Sequence, residues 1–192
     1  MNSILNIDES ILRGANGVVG RWGWLDAVIL LPAVYLVYLA PIILLALWFY
    51  SKRSRKAALQ ALGSGLLAWL VLSRLISRYV WYRPRPNATS DIKELIFHRP
   101  DYSFPSDHMS LLVAVTASVW LLGYRKLGFW LAVVSVAVGA GRVMIGVHYP
   151  LDILAGAAVG LIAAMVARWL DRPLTKYVYN PIIRVAQKIH LP

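Results

Sequence analysis

Two imidazoles, a carboxylate and three arginines stand in this 192-residue chain at spacings suited to phosphoryl transfer. His148 is followed by Tyr149 and Pro150, and proline suits the first turn of a helix. Asp152, four residues after His148, can then turn back toward the imidazole. A carboxylate on one ring nitrogen fixes the tautomer and makes the other nitrogen a better nucleophile. His108 offers a second imidazole as general acid for a leaving oxygen. Arg78, Arg85 and Arg142 carry planar, permanently charged forks that match phosphate oxygens two at a time. Pro105-Ser106 precedes an apolar run, so N–H groups at a helix start, together with the Ser106 hydroxyl, can meet charge on equatorial phosphoryl oxygens.

Taken singly, these residues have plainer roles. An arginine at a membrane end is more often a snorkelling anchor than a ligand. Asp152 serves equally as a helix N-terminal carboxylate, and Ser106 as an N-cap. Arg74, one turn before Arg78, either backs the site or pairs with another span, and His98 and His190 stand outside the cluster. The joint pattern is different. No packing requirement asks for Arg142, His148 and Asp152 at these spacings together with Pro105-Ser106-Asp107-His108.

The elements that must hold this group are membrane helices. The chain is 59% hydrophobic and 15% charged, where a soluble domain carries about 25% charged residues. The net charge of +11 therefore marks topology and anion ligands, and no nucleic-acid partner is expected. Absence of cysteine excludes disulfides, thiolate catalysis and cysteine metal sites. The N-terminus, with Asp8 and Glu9 and no early basic cluster, does not resemble a cleaved signal peptide. Since crossing about 30 Å takes roughly 20 helical residues, five spans are predicted. They run from 27 to 50, 57 to 81, 106 to 123, 127 to 147 and 151 to 170. Residues 1–24, with Trp22 and Trp24 at the aromatic-belt position, form an interfacial segment or a sixth span. The tail 171–192 is basic, with Val178, Ile182, Val185 and Ile189 at helical spacing.

Short loops set the orientation. The basic run 51–56, the loop 124–126 and the tail belong on the cytoplasmic side. Every candidate site residue then falls at the opposite membrane face, at one depth. The 83–105 loop, with Arg83, Arg85, Lys93 and Arg99, breaks the charge rule on that outer face and asks for a functional reason.

Arg78-x6-Arg85-Pro86, Pro105-Ser106-Asp107-His108 and Gly141-Arg142-x5-His148-x3-Asp152 resemble the three signature motifs of the type 2 phosphatidic acid phosphatase superfamily, in order, over about 78–152. Three positions depart from that signature. Arg78 replaces a lysine, keeping the charge but changing the geometry. Gly141 replaces a serine, so one phosphate hydrogen bond is lost or supplied elsewhere. Asp107 replaces a glycine, and its carboxylate repels a phosphate unless it points away or meets a cation such as Arg83 or Arg99. The runs 83–86, 103–108 and 147–152 are similar to the undecaprenyl-diphosphatases associated with bacitracin resistance, a subgroup that commonly carries this aspartate.

The resemblance implies a single all-α membrane domain over 1–192, with the bundle at 25–170, in a bacterial inner membrane with its site outside and its C-terminus in the cytoplasm. It implies His148 as the residue that becomes phosphohistidine, Asp152 as its orienting partner and His108 as the acid. Arg78, Arg85, Ser106 and Arg142 hold phosphate, and Asp107 and Arg83 are further candidates. No metal or other cofactor is implied. The expected substrate is undecaprenyl diphosphate, whose hydrolysis recycles the peptidoglycan lipid carrier. The alternatives are another lipid phosphate, such as phosphatidylglycerophosphate or phosphatidate, and a non-catalytic lipid-phosphate binding or transport protein.

Overall fold

The computed structural model describes residues 2–86, 91–96 and 101–188, and these form helices and connections without a strand. Arg99, His98 and His190 lie outside the described residues. Helix α1 is Asn2–Asn16, α2 is Gly23–Tyr50, α3 is Lys52–Tyr79, α4 is Asp107–Leu121, α5 is Arg125–Met144 and α6 is Pro150–Trp169. A last helix, α7, runs over 171–188. Among the described residues four helices, α2, α3, α5 and α6, are long and apolar enough to cross a membrane. This is an all-α, multi-pass membrane bundle, as expected from the apolar runs.

The third predicted span, α4, has only 15 residues, about 22 Å at 1.5 Å per residue. It is the central helix, packed on α3, α5 and α6. Walled by protein, it need not match the bilayer, and its first turn lies beside the first turns of α6, where Ser106 N–H donates to the Asp152 carbonyl at 3.0 Å. Gly156 and Gly160 of α6 permit this closeness. A Cβ at Gly156 would stand 2.6 Å from the Ser106 carbonyl oxygen, and one at Gly160 2.6 Å from that of Ser110. Small residues four apart are the usual means of bringing membrane helices together. Serines add polar contacts across the same core: Ser73 Oγ donates to Ser110 Oγ at 2.8 Å, and Ser64 and Ser118 hydroxyls meet at 2.7 Å.

Helix α3 begins five residues earlier than predicted, inside the basic loop. Ser51 and Ser54 cap it reciprocally: Ser54 N–H donates to Ser51 Oγ at 3.1 Å and Ser51 N–H to Ser54 Oγ at 2.9 Å. At the same end, Lys56 Nζ reaches both carboxylate oxygens of Asp171, at 2.8 and 2.9 Å, and Tyr124 packs on the cluster of Leu47 and Ala58. The three basic segments thus gather at one end of the bundle. Large apolar side chains such as Val28, Leu31, Ile42 and Leu45 stay exposed along α2, which suits a lipid-facing surface.

Helix α1 has 15 residues, too few for a crossing, and packs against α5 and α6. Its isoleucines face outward, with Ile4 58%, Ile7 59% and Ile11 53% exposed, while Asp8, Leu12 and Asn16 are buried. Residues 91–96 are tied to it, since Asn16 Nδ2 donates to the carbonyls of Lys93 and Met144 and Asn16 Oδ1 accepts from Lys93 N–H.

Candidate active site

The end of α5 decides where His148 points. Gly146, at φ +78°, closes the helix in a left-handed turn. Its N–H donates to the Val143 carbonyl and that of Val147 to the Arg142 carbonyl, the paired bonds of a Schellman termination. The chain then runs extended through Tyr149 into Pro150, the first residue of α6. His148 is thereby buried, 2% exposed, at the junction of two helices.

Its Nδ1 stands 3.0 Å from the Ser103 carbonyl oxygen, which can only accept. Nδ1 therefore carries the proton and Nε2 keeps its lone pair. Nε2 is buried without a hydrogen-bond partner among the described residues, and His148 lines a cavity. Burial pushes its pKa down to about 4, with the neighbouring Arg142 and Arg85 charges adding to the effect and Asp152 opposing it. The imidazole is thus neutral at ordinary pH.

Asp152 sits behind the ring, but not on it. Its Oδ2 is 3.7 Å from Nδ1, whereas a direct carboxylate–imidazole bond was the expectation. Ser103 stands between them: its hydroxyl donates to Asp152 Oδ2 and lies 3.4 Å from Nδ1. Asp152 also accepts from Tyr149 N–H at 2.8 Å, as a carboxylate in the first helical turn does, and from Arg83 Nη1 at 3.0 Å. The capping role and the site role belong to one side chain.

The cavity, about 170 Å³, is lined by His148, His108, Asp107, Arg85 and Arg142, and by Val34, Val37 and Tyr38 of α2. An engineered cavity of about 150 Å³ takes up benzene, so a phosphoryl head fits here and a long lipid chain does not. Both arginines are buried and steadied by carbonyls. Arg142 Nη1 donates to Ala33 O at 3.0 Å, and Arg85 Nη1 to Val147 O at 2.9 Å. Arg85 Nε also meets Asp101 at 2.6 Å. Ala33 lies in the widened turn Leu31–Tyr35, which contains Pro32. The proline thus marks where α2 meets the site.

Of the two cations expected for Asp107, Arg99 lies outside the described residues and Arg83 is engaged elsewhere. Tyr102 donates to the two oxygens of Asp107 at 3.3 and 3.2 Å, and the Trp69 side chain bonds to it as well. Burial, the Asp107 charge and this hydrogen bond push the Tyr102 hydroxyl up to about 12, so it remains a donor. Arg83 is turned away from the cavity toward Asp8 and Asp152, at 2.7 and 3.0 Å, its guanidinium 3.5 Å from the centre of the Tyr149 ring. A phosphate-binding place for Arg83 does not match that position, because both ends of its fork already meet carboxylates. Arg78 is exposed beside the Tyr79 ring, 5.6 Å from its centre, and does not line the cavity. The charge of Arg74, one turn earlier, is the one that acts on Tyr102. Ser106 is buried, its hydroxyl without a partner among the described residues and its N–H taken by Asp152.

Gly141 does not open toward the cavity. A Cβ there would lie 2.9 Å from Ala33 N and 3.1 Å from its Cα. Gly141→Ser is therefore expected to destabilise the protein by about 1–3 kcal/mol, the range for overpacking, instead of adding a phosphate ligand. Thermal unfolding in detergent checks this, and a melting temperature equal to wild type would contradict it.

Ser103, Tyr102, Asp101 and Asp8 escaped the sequence reasoning. Ser103 belongs to a run already noted for its resemblance, and its spacing from Ser106 carries no signal of its own. Asp8 gave no signal of its own, one of several polar residues in an amphipathic helix.

A family model described as the PAP2 superfamily matches residues 75–176. Undecaprenyl-diphosphatase BcrC of Bacillus subtilis is 33% identical over 157 residues, covering 81% of this chain and 80% of that protein. A Bacillus licheniformis protein named bacitracin transport permease protein BcrC is 32% identical over 171 residues, covering 87% and 81%. Among solved structures, a transmembrane PAP2 type phosphatidylglycerolphosphate phosphatase from Bacillus subtilis superposes with a TM-score of 0.64 at 27% identity, covering 92% of this chain and 90% of that one.

Proposed function

This chain belongs to the PAP2 superfamily, and from that membership we propose that it is a membrane phosphatase acting on undecaprenyl diphosphate through a phosphohistidine. The observation that carries the mechanism is the ring of His148, held by the Ser103 carbonyl with its Nε2 unpartnered among the described residues, lining a small cavity beside two buried arginines. The substrate rests on the relative named undecaprenyl-diphosphatase BcrC and on Asp107.

In this scheme Arg85 and Arg142 hold the terminal phosphoryl group. His148 Nε2 forms a bond to phosphorus as the bond to the bridging oxygen breaks, and His108 protonates the departing lipid phosphate. Water then attacks phosphorus, the P–N bond breaks, and His108 takes the proton of the water. Asp152, through Ser103, offsets the positive charge that the imidazole carries between the two steps. No metal takes part. In this reading the site faces the outside of a bacterial inner membrane and the tail the cytoplasm, an orientation supported by the basic loops.

A lipid monophosphate is the second reading, favoured by the phosphatidylglycerolphosphate phosphatase whose structure this chain resembles. Phosphate release by purified protein from undecaprenyl diphosphate, phosphatidylglycerophosphate and phosphatidate separates the two. The diphosphate is expected to give the highest kcat/KM, with EDTA leaving the rate unchanged. A preference for either monophosphate would overturn the substrate assignment. Loss of activity in EDTA, restored by a divalent ion, would overturn the metal-free scheme.

A further inference from the structure

Asp8 is 2% exposed on a helix that lies outside the family's matched segment. A carboxylate is buried at such a place only with compensating partners. Asp8 Oδ2 receives Arg83 Nη2 at 2.7 Å, and Asp8 Oδ1 receives the N–H of Leu151 at 2.8 Å. The other end of the Arg83 fork meets Asp152 at 3.0 Å, and Leu151 directly precedes Asp152 in the first turn of α6. The chain of contacts is continuous: Asp8 to Arg83, Arg83 to Asp152, Asp152 to Ser103, Ser103 to the His148 ring.

We propose that Asp8 is a positioning residue for the nucleophile, acting through Arg83 on Asp152, so that helix α1 is part of the catalytic apparatus. The proposal rests on His148 being the nucleophile. With two carboxylates sharing one guanidinium, Asp152 keeps negative charge to spare for the imidazole when it becomes cationic. Without the Asp8 charge, Arg83 draws on Asp152 alone and pulls it from Ser103. That loss falls on the transition state and not on substrate binding, since Arg85 and Arg142 are untouched. The outward isoleucines of α1 give the helix a lipid-facing side, which holds Asp8 in place from without.

The test uses the full chain in lipid nanodiscs, with undecaprenyl diphosphate and phosphatidylglycerophosphate as substrates. Asp8→Asn keeps the shape and the acceptor for Leu151 but removes the charge. It is expected to lower kcat by about 10- to 100-fold, the range that outer-sphere partners command elsewhere, with KM within about threefold. In an Arg83→Gln background the same change is expected to cost less than about threefold, because the link is already cut. A folded Asp8→Asn protein with wild-type kcat, or one whose loss lies in KM, would overturn the proposal.

If Asp8→Asn does not fold, Arg83→Lys reads the same link, since an ammonium cannot bridge both carboxylates in the fork geometry. A loss confined to kcat supports the proposal and an unchanged kcat refutes it. Nitrogen-15 NMR of the His148 ring stands apart from activity. A single Nδ1–H tautomer is expected in wild type and a mixture in Asp8→Asn. Should wild type hydrolyse neither lipid, the proposed function fails, while the NMR comparison alone still decides this inference, an unchanged tautomer in Asp8→Asn counting against it.

Discussion

His148→Ala is expected to lower kcat for lipid-phosphate hydrolysis by about 10⁴-fold or more, the scale on which loss of a nucleophile acts in other hydrolases. His148 is the buried imidazole that lines the cavity, with its proton placed on Nδ1 and its Nε2 without a hydrogen-bond partner among the described residues. Alanine leaves Arg85 and Arg142 on their carbonyl supports, so affinity for orthovanadate or phosphate should persist. The two measurements together separate a lost nucleophile from a lost pocket. A variant that still hydrolyses lipid within tenfold of wild type would remove His148 from the central step. In wild type, the activity should fall on acidification only as the pH approaches about 4, where the ring takes a proton and its lone pair is lost.

Asp152→Asn is the second large effect, expected at about 10³- to 10⁴-fold in kcat by analogy with the orienting aspartate of serine proteases. The Asp152 carboxylate accepts from Arg83, from the Ser103 hydroxyl and from the Tyr149 N–H, all of them donors. An amide at this position must present its own N–H₂ to one of them. If it faces Ser103 and Tyr149, the hydroxyl turns and the ring loses its support. If it faces Arg83, a guanidinium is left beside an unpaired donor. Breaking a buried ion pair by removing one partner costs about 3–5 kcal/mol, so a lower melting temperature should accompany the loss. Kinetics at a temperature well below the new transition check the catalytic part. A stable Asp152→Asn protein at full kcat would show that Ser103 alone suffices.

The helical bundle was legible because hydropathy reports directly on lipid. The cluster of His148, His108, Arg85 and Arg142 was legible for another reason: charged groups at apolar helix ends must be explained by one another. What stayed hidden depends on three-dimensional approach. Ser103 matters because the 101–103 segment pairs with 83–85, where Ser103 N–H donates to the Arg83 carbonyl at 2.7 Å, and no local pattern announces that pairing. The family pattern assigned Arg78 to phosphate, yet the helix turns it outward next to Tyr79. Arg83 was a further candidate for phosphate, and a buried Asp8 far away in sequence redirects it. Gly141 read as a missing ligand, although its neighbour in space is the backbone of Ala33. The glycines at 156 and 160 did carry a sequence signal, a small pair four apart in an apolar helix, and they explain how a 15-residue α4 is held at the centre.

The covalent step is the core of the account, and it can be seen directly. Purified protein mixed with undecaprenyl diphosphate labelled in its terminal phosphate, quenched within milliseconds and digested, should yield one phosphopeptide. The phosphate should be labile to acid, stable to base and located on His148. Turnover without any protein-bound phosphate, or a label on another residue, would contradict it.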